Sequence, residues 1–203
     1  MPDERIAEDR AGRVSLSRMK NYCIKSGYLH REFPETYNDT PNKDEWQQEV
    51  YREVRSNLSG PETIVDFGCG SGYKLLTYFC GFQRTGYEIG NTLDWLRKTY
   101  PLADWRSPED GPIKADVVIC ADVIEHVMYP DLLIRQLLEF QADRYFISTP
   151  NRDRLSQQDG PPRNQSHVRE WNADEFARYI DQSFLIDQHL HYHSTQLIVC
   201  RLK

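Results

Sequence analysis

Apolar and polar residues follow two alternating patterns along most of the chain. Short apolar runs rich in β-branched residues predict strands, and apolar positions three or four residues apart predict helices. The predicted strands are residues 63–67, 85–89, 115–121 and 144–148, and the predicted helices between them are residues 73–79, 92–99 and 131–140. Strands that alternate with helices predict a parallel sheet with helices packed against it.

The two ends of the chain depart from this alternation. Upstream, Asn42 and Glu45 form a capping pattern before apolar residues that repeat every four positions, which predicts a helix from Asn42 to about Gly60. Downstream, Asn172 and Glu175 form the same pattern and predict a second helix start. The last apolar runs, at 184–190 and 196–202, are five residues apart. We therefore predict an antiparallel hairpin at the edge of the sheet.

Length, charge and cysteine content narrow the class of protein. A chain of 203 residues fits one domain with an extension, so we expect a helical cap at 1–60 and a ligand-binding domain at 61–203. The net charge of −6 disfavours DNA as a partner. No apolar run reaches the roughly 20 residues of a membrane span. Five scattered cysteines without a CxxC pair indicate reduced thiols and a cytoplasmic protein.

A glycine-rich turn follows the first predicted strand. Gly68 and Gly70 allow a sharp turn and the close approach of a ligand, whereas Tyr73 stands where a nicotinamide-binding fingerprint requires its third glycine. Asp66 places a carboxylate at the turn, which suits a cationic ligand. Glu88, 22 residues later, ends the next predicted strand, where an acid binds ribose hydroxyls. The two acids together indicate a positively charged nucleoside without phosphate, such as S-adenosylmethionine.

Three segments resemble class I S-adenosylmethionine-dependent methyltransferases. Residues 65–72 and 86–90 are similar to the first two motifs of that family and residues 115–127 to the fourth. The resemblance covers roughly residues 62–202 and implies a Rossmann-like α/β fold. Its seven-stranded sheet would be mostly parallel, with a C-terminal antiparallel hairpin, helices on both faces and an N-terminal helical extension.

The resemblance also implies which residues contact the cofactor. These are Asp66, Gly68, Cys69 and Gly70 around the methionine part, Glu88 and Ile89 at the ribose, Trp105 or Ser107 at the adenine, and Ala121 beside them.

A second group of polar residues follows the strand that ends at Ala121. Asp122, Glu125 and His126 share one face if their segment is helical, and they lie where α/β enzymes place their sites. His167 lies in a long polar loop, residues 151–171, that follows the next strand and is able to return over them. Two carboxylates and imidazoles suit a divalent ion such as Mg²⁺ or Zn²⁺.

Three interpretations of this group stay open: a metal site, a metal-free catalytic cluster, and structural residues of a helix start. The pairing of Glu125 and His126 with the later segment that contains His167 is similar to one in O-methyltransferases of quinone and sugar biosynthesis. It is also similar to one in small-RNA 3′-end methyltransferases, in which a Glu/Glu/His/His set binds a metal. Asp122 replaces the first of those glutamates with a shorter side chain. With or without a metal, the acceptor must lose a proton, either through the metal or to His126 or His167.

We therefore expect O-methylation of a small metabolite, a sugar or a phenol or catechol, by a monomer or homodimer. The alternatives are a metal-dependent RNA 3′-terminal 2′-O-methyltransferase and a non-catalytic S-adenosylmethionine-binding protein.

Overall fold

One seven-stranded sheet organises the residues that the computed structural model describes, 21–155 and 159–203. Its strands are β1 (Thr63–Phe67), β2 (Gln83–Tyr87), β3 (Asp104–Arg106), β4 (Val117–Ala121), β5 (Arg144–Pro150), β6 (Phe184–His191) and β7 (Thr195–Leu202). They lie in the order β3-β2-β1-β4-β5-β7-β6. The first five strands are parallel, and β7 is antiparallel to both β5 and β6. The predicted fold class and the C-terminal hairpin are confirmed.

Helices pack on both faces of this sheet. They are α1 (Gln48–Asn57), α2 (Tyr73–Tyr78), α3 (Gly90–Thr99), α4 (Pro130–Glu139) and α5 (Ala173–Ile180). Side chains alternate along a strand, so in β4 Val117 and Ile119 join the core under α1, α2 and α3. Val118 and Cys120 join the opposite core, under α4 and α5. A strand buried on both faces explains why Val117–Ala121 is apolar throughout.

The first helix begins six residues later than the capping pattern predicts. Asn42 does not cap it, because its side-chain amide donates to Tyr37 and Asp39 instead. Gln47 has a left-handed backbone (φ 57°), and a helix does not continue through such a residue. Residues 21–47 contain turns and bends, and residues 1–20 lie outside the described residues. The division of the chain at residue 60 stays a prediction.

Residues 21–35 pair with the long loop that follows β5. The backbone N–H of Arg31 donates to the Val168 carbonyl at 2.8 Å, and that of Glu35 donates to the Gln165 carbonyl at 2.9 Å. The buried indole of Trp171 donates to the Tyr22 carbonyl at 2.9 Å. These bonds satisfy backbone groups on both segments and hold the loop against the sheet.

None of the helices formed by residues 21–155 and 159–203 has the length and apolar character that a membrane crossing requires.

Gly86 in the middle of β2 provides a test of the core beside the glycine turn. A methyl group there would lie 2.5 Å from the Trp105 ring and 2.7 Å from the Cys69 sulfur, both buried. We expect Gly86→Ala to lower the free energy of unfolding by about 1–3 kcal/mol through overpacking, as measured by urea denaturation. Gly60→Ala is the control, because nothing lies within 4 Å of its added methyl. Equal denaturation midpoints for the two variants would contradict this packing.

Candidate active site

The glycine turn lies between β1 and α2, at the carboxyl end of the parallel strands. Gly68, Gly70 and Gly72 all have positive φ (79°, 54° and 68°), so the turn needs residues without a Cβ atom. A methyl group on Gly68 would meet the Val123 side chain at 2.5 Å, and one on Gly72 would meet the Trp105 ring at the same distance. The turn is therefore packed against Val123 at Gly68 and against Trp105 at Gly72, while Asp39 lies against Gly70.

Asp66 lies under the turn and is fully buried. The Tyr51 hydroxyl donates to Asp66 Oδ2 at 2.8 Å, while no donor among the described residues reaches Oδ1. Burial raises the pKa of Asp66 to about 7, against the opposing effects of the Tyr51 hydrogen bond and of Lys74. A buried carboxylate oxygen without a donor suits a cationic ligand group, such as the ammonium of S-adenosylmethionine.

Glu88 faces the same turn from the end of β2. Its two oxygens accept the backbone N–H groups of Gly70 and Ile89, each at 2.9 Å. Burial also raises its pKa. The next side chain, Ile89, is 66% exposed, which is unusual for an isoleucine and leaves an apolar surface beside the turn. The predicted contacts of Glu88 with ribose hydroxyls and of Ile89 with the nucleoside are compatible with these positions.

The other predicted cofactor residues differ in their surroundings. Trp105 lies in the core between β2 and α3, and its indole N–H donates to the Tyr100 carbonyl at 2.9 Å. Ser107 is partly exposed, and its hydroxyl caps a short 3₁₀ helix. Of the two candidates for the adenine, the structure therefore leaves Ser107 the more accessible. Cys69 and Ala121 are buried, and burial raises the pKa of the Cys69 thiol well above its usual value.

The segment after β4 is not the continuous helix that the spacing of its polar residues suggested. Asp122 has a left-handed backbone (φ 52°), and only Ile124–His126 forms a short 3₁₀ helix. The Ser148 backbone carbonyl and hydroxyl both accept the Asp122 N–H, and the Ser148 hydroxyl donates to Asp122 Oδ1 at 2.6 Å. The argument from a shared helical face was wrong, although all three side chains still line one cavity.

His167 returns over this segment, as the sequence suggested. Its ring centroid lies 4.7 Å from that of His126, at nearly a right angle. Nδ1 of His167 is bonded to the Glu170 carboxylate at 2.7 Å, and Nδ1 of His126 to the Ser166 carbonyl at 3.0 Å. Both acceptors require a proton on Nδ1 and so leave Nε2 as the free nitrogen of a neutral ring. Asn164 donates to Nε2 of His167 at 2.9 Å.

Glu125, His126 and His167 have the composition and spacing of a metal site. One ligand atom from each lies within 4.8 Å of the others. Glu125 is fully buried, and its Oε1 has no hydrogen-bond donor among the described residues. Hydrogen bonds from each Nδ1 to an oxygen are the usual support of metal-binding histidines. Asp122 lies outside this group of three, since its carboxylate is bonded to Ser148.

The acids of this region are withdrawn from water. Burial raises the pKa of both Asp122 and Glu125, and the proximity of Asp122 raises that of Glu125 further. Burial lowers the pKa of His126 to about 4. Asp122, Glu125, His126 and His167 line a cavity of about 660 Å³, together with Tyr37, Trp46 and Tyr192. The cavity is large enough for a small organic molecule.

Two residues of the site have no signal in the sequence. Tyr51 falls within an apolar helix pattern, and nothing in its neighbours indicates a hydrogen bond to Asp66. Asp39 lies in a segment without periodic structure, yet its Oδ2 accepts the backbone N–H of Ser71 at 3.3 Å. Both contacts are long-range, so the local pattern of residues does not encode them.

The strand order, the inserted antiparallel β7 and the acids at the ends of β1 and β2 define the class I S-adenosylmethionine-dependent methyltransferases. The chain belongs to the methyltransferase-domain family, whose model matches residues 42–197. Its cofactor is S-adenosylmethionine.

Comparison with known proteins agrees with this class. A "Probable S-adenosylmethionine-dependent methyltransferase" of Mycobacterium tuberculosis is 27% identical over 152 residues, which are 69% of this chain and 54% of that protein. The chain thus spans about half the length of the curated relatives it matches. The PH0226 protein from Pyrococcus horikoshii superimposes with a TM-score of 0.63 at 14% identity, covering 83% of this chain and 95% of that one. For a SAM-dependent methyltransferase from Aquifex aeolicus the TM-score is 0.58 at 13% identity, with 77% and 89% covered. The two structures show the fold alone.

Ionisation of Asp66 gives a test of the cofactor site. The carboxyl is mostly protonated at pH 6 and mostly ionised at pH 8, since its pKa is raised to about 7. If it binds the ammonium group, the affinity for S-adenosylhomocysteine should rise up to about tenfold between pH 6 and pH 8 in calorimetric titrations. Asp66→Asn should bind more weakly at pH 8 and lose this rise. The same rise in the variant would show that another group is responsible.

Proposed function

We propose that this protein transfers the methyl group of S-adenosylmethionine to a hydroxyl group of a small acceptor, with His126 as the general base. One observation carries the assignment of the base. His126 Nδ1 lies 3.0 Å from the Ser166 carbonyl, which only accepts hydrogen bonds, so the proton of the neutral ring is on Nδ1. Nε2 therefore keeps its lone pair, and the ring forms part of the cavity wall.

The protonation state of His126 supports this role. With a pKa lowered to about 4, the ring is neutral and able to accept a proton at physiological pH. Glu125 Oε1 lies 4.0 Å from Nε2. An imidazolium that forms there lowers the pKa of the Glu125 carboxyl group and is in turn stabilised by its negative charge. As the acceptor oxygen attacks the methyl carbon in line, the new C–O bond forms, the S–CH₃ bond breaks and Nε2 takes the hydroxyl proton. The products are the methyl ether and S-adenosylhomocysteine.

The lining of the cavity supports a small neutral or cationic acceptor. Its acidic residues are Glu45, Glu49, Asp122, Glu125 and Glu170, and its basic residues are Arg163 and three histidines, His126, His167 and His193. Such a surface repels phosphate groups, which weighs against the alternative of RNA as substrate. The rings of Tyr37, Trp46 and Tyr192 offer apolar faces with polar edges. They suit a sugar ring, a phenol or a catechol.

The general base is tested by replacing His126. We expect His126→Ala to lower methyl transfer about 10²–10⁴-fold, because the acceptor hydroxyl then keeps its proton. The rate of S-adenosylhomocysteine release would be measured with a panel of monosaccharides, phenols and catechols. His191→Ala is the control, since that side chain is exposed on β6. Unchanged turnover in His126→Ala would refute the assignment. Cofactor binding without turnover of any acceptor by the wild type would support the non-catalytic alternative.

A second candidate is a metal-assisted form of the same reaction, favoured by the Glu125 oxygen that has no donor. Glu125, His126 and His167 would hold the ion, with Glu170 and Ser166 orienting the two imidazoles. A bound divalent ion would lower the pKa of the acceptor hydroxyl. Asn164 would have to release Nε2 of His167 to make this possible.

Calorimetric titration with Zn²⁺ distinguishes the two candidates. If the cluster is a metal site, the wild type binds one ion, and Glu125→Gln binds it at least about tenfold more weakly because a charged ligand is lost. His189→Ala is the control for adventitious binding to the histidines of β6. Absence of binding in the wild type would leave His126 acting without a metal.

Two further expectations concern the whole protein. The five cysteines are free thiols in the structure, which supports a reducing compartment such as the cytoplasm. The oligomeric state, a monomer or homodimer, stays a prediction.

A further inference from the structure

Residues 37–47, which we call the covering segment, join the glycine turn to the acceptor cavity. At one point the segment contacts Gly70 and Ser71 through Asp39. At others it forms cavity wall, through Tyr37, Asn42, Glu45, Trp46 and Gln47. One short piece of chain therefore covers both the place expected for the cofactor and the place expected for the acceptor.

Asp39 lies against the glycine turn at Gly70. Its Oδ2 accepts the Ser71 N–H at 3.3 Å, and it would lie only 1.8 Å from a methyl group placed on Gly70. The carboxylate thus lies directly against the Cα atom that a ligand approaches in a glycine turn of this kind. A nucleoside bound at the turn and Asp39 in this position exclude each other.

The contact of Asp39 with the turn is also electrostatically unfavourable. Its charge adds to the effect of burial in raising the pKa of both Asp66 and Glu88. Three carboxyl groups converge there, and Lys74 is a cation that partly offsets the rise in the pKa of Asp66. A hydrogen bond of 3.3 Å opposed by such repulsion is a weak contact, so a nucleoside that occupies the turn displaces it at small cost.

The rest of the covering segment is held at its two ends. Before Asp39, the Tyr37 ring stacks on the His126 imidazole, with centroids 4.6 Å apart, and its hydroxyl donates to Asp39 Oδ1 at 2.9 Å. After Asp39, Lys74 donates to the Lys43 carbonyl at 3.1 Å, and Tyr78 donates to Asp44 at 3.0 Å. Displacement of Asp39 therefore acts on Tyr37 through a direct hydrogen bond, while α2 still holds the later residues.

We propose that the covering segment is a gate that links cofactor binding to exposure of the base. Asp39 closes the glycine turn when no nucleoside is bound. Binding of S-adenosylmethionine displaces Asp39, and because Tyr37 is bonded to it, the tyrosine ring leaves His126. The acceptor cavity thus takes its working shape only after the cofactor has bound. The gate depends on cofactor binding and not on which acceptor or base the reaction uses.

Binding of S-adenosylhomocysteine to Asp39 variants tests the gate. A closed state lowers the apparent affinity by the fraction of molecules that are open. Asp39→Ala should therefore bind S-adenosylhomocysteine about three- to tenfold more tightly than the wild type in calorimetry. Asp39→Asn should change the affinity in the same direction, and its near-native shape guards against a folding defect. The demethylated product is the probe because it lacks the sulfonium charge, which the carboxylate would otherwise attract.

Glu35→Gln is the matched control, because it removes one exposed carboxylate four residues earlier in the chain. It should leave the affinity unchanged. Weaker or equal binding by Asp39→Ala would show that Asp39 is not a gate, and so would an equal gain in Glu35→Gln. Failure of both the wild type and Asp39→Ala to bind would overturn the gate as well. Each of these results is independent of the His126 experiment.

Trp46 reports a change in the acceptor cavity, because it shares the cavity wall with Tyr37. Trp46 is 62% exposed within the covering segment, whereas Trp105 and Trp171 are buried and Trp95 is partly buried in α3. Addition of S-adenosylhomocysteine should shift the tryptophan emission of the wild type, and Trp46→Phe should remove most of that shift. Unchanged emission in the wild type at saturating ligand would overturn the proposal.

Discussion

The burial of carboxyl groups at the carboxyl ends of the parallel strands is the constraint on which the site depends. Asp66 and Glu125 are fully buried, each with one oxygen that no donor among the described residues reaches. Withdrawal of an acid from water costs free energy unless a partner compensates it. The sheet and its two layers of helices supply that free energy through apolar packing. The fold leaves one oxygen of Asp66 and one of Glu125 without a hydrogen-bond donor, and these are the atoms at which a ligand with a positive charge or a donor would compensate the cost of burial.

Much of the fold is predictable from local sequence patterns, because strand alternation and helix capping depend on neighbouring residues. The strand at residues 63–67 has the predicted bounds, and the Asn172–Glu175 capping box starts α5 as expected. Both depend on neighbours within a few residues. The three-residue β3 gave no such pattern, since an edge strand so short is too brief for a repeated alternation of buried and exposed positions. Its place is set by pairing with β2, a contact between distant parts of the chain.

The approach of His167 to His126 was predictable from the sequence, and the local geometry of the segment after β4 was not. His167 was expected to return over His126 and does, because the loop leaves the same edge of the sheet. The left-handed backbone of Asp122 was not visible, since Asp tolerates that conformation without requiring it. Trp105 was weighed as an adenine contact, whereas the lack of a Cβ atom at Gly72 and Gly86 makes room for its ring in the core. Tyr51 and Asp39 contact the site from distant segments, and the sequence of each segment predicts only its local structure.

Residues 21–35 are hydrogen-bonded to the loop that holds His167, so the part of the chain that supports the site begins before the region shared with the family. The region shared with the family starts at residue 42, so it omits the strip of chain that is bonded to Val168 and Trp171. A protein that began at residue 42 would keep all seven strands and the glycine turn. It would lose the hydrogen bonds that hold the loop of His167 from outside. A domain boundary drawn from family similarity alone would therefore exclude residues that support a histidine of the site.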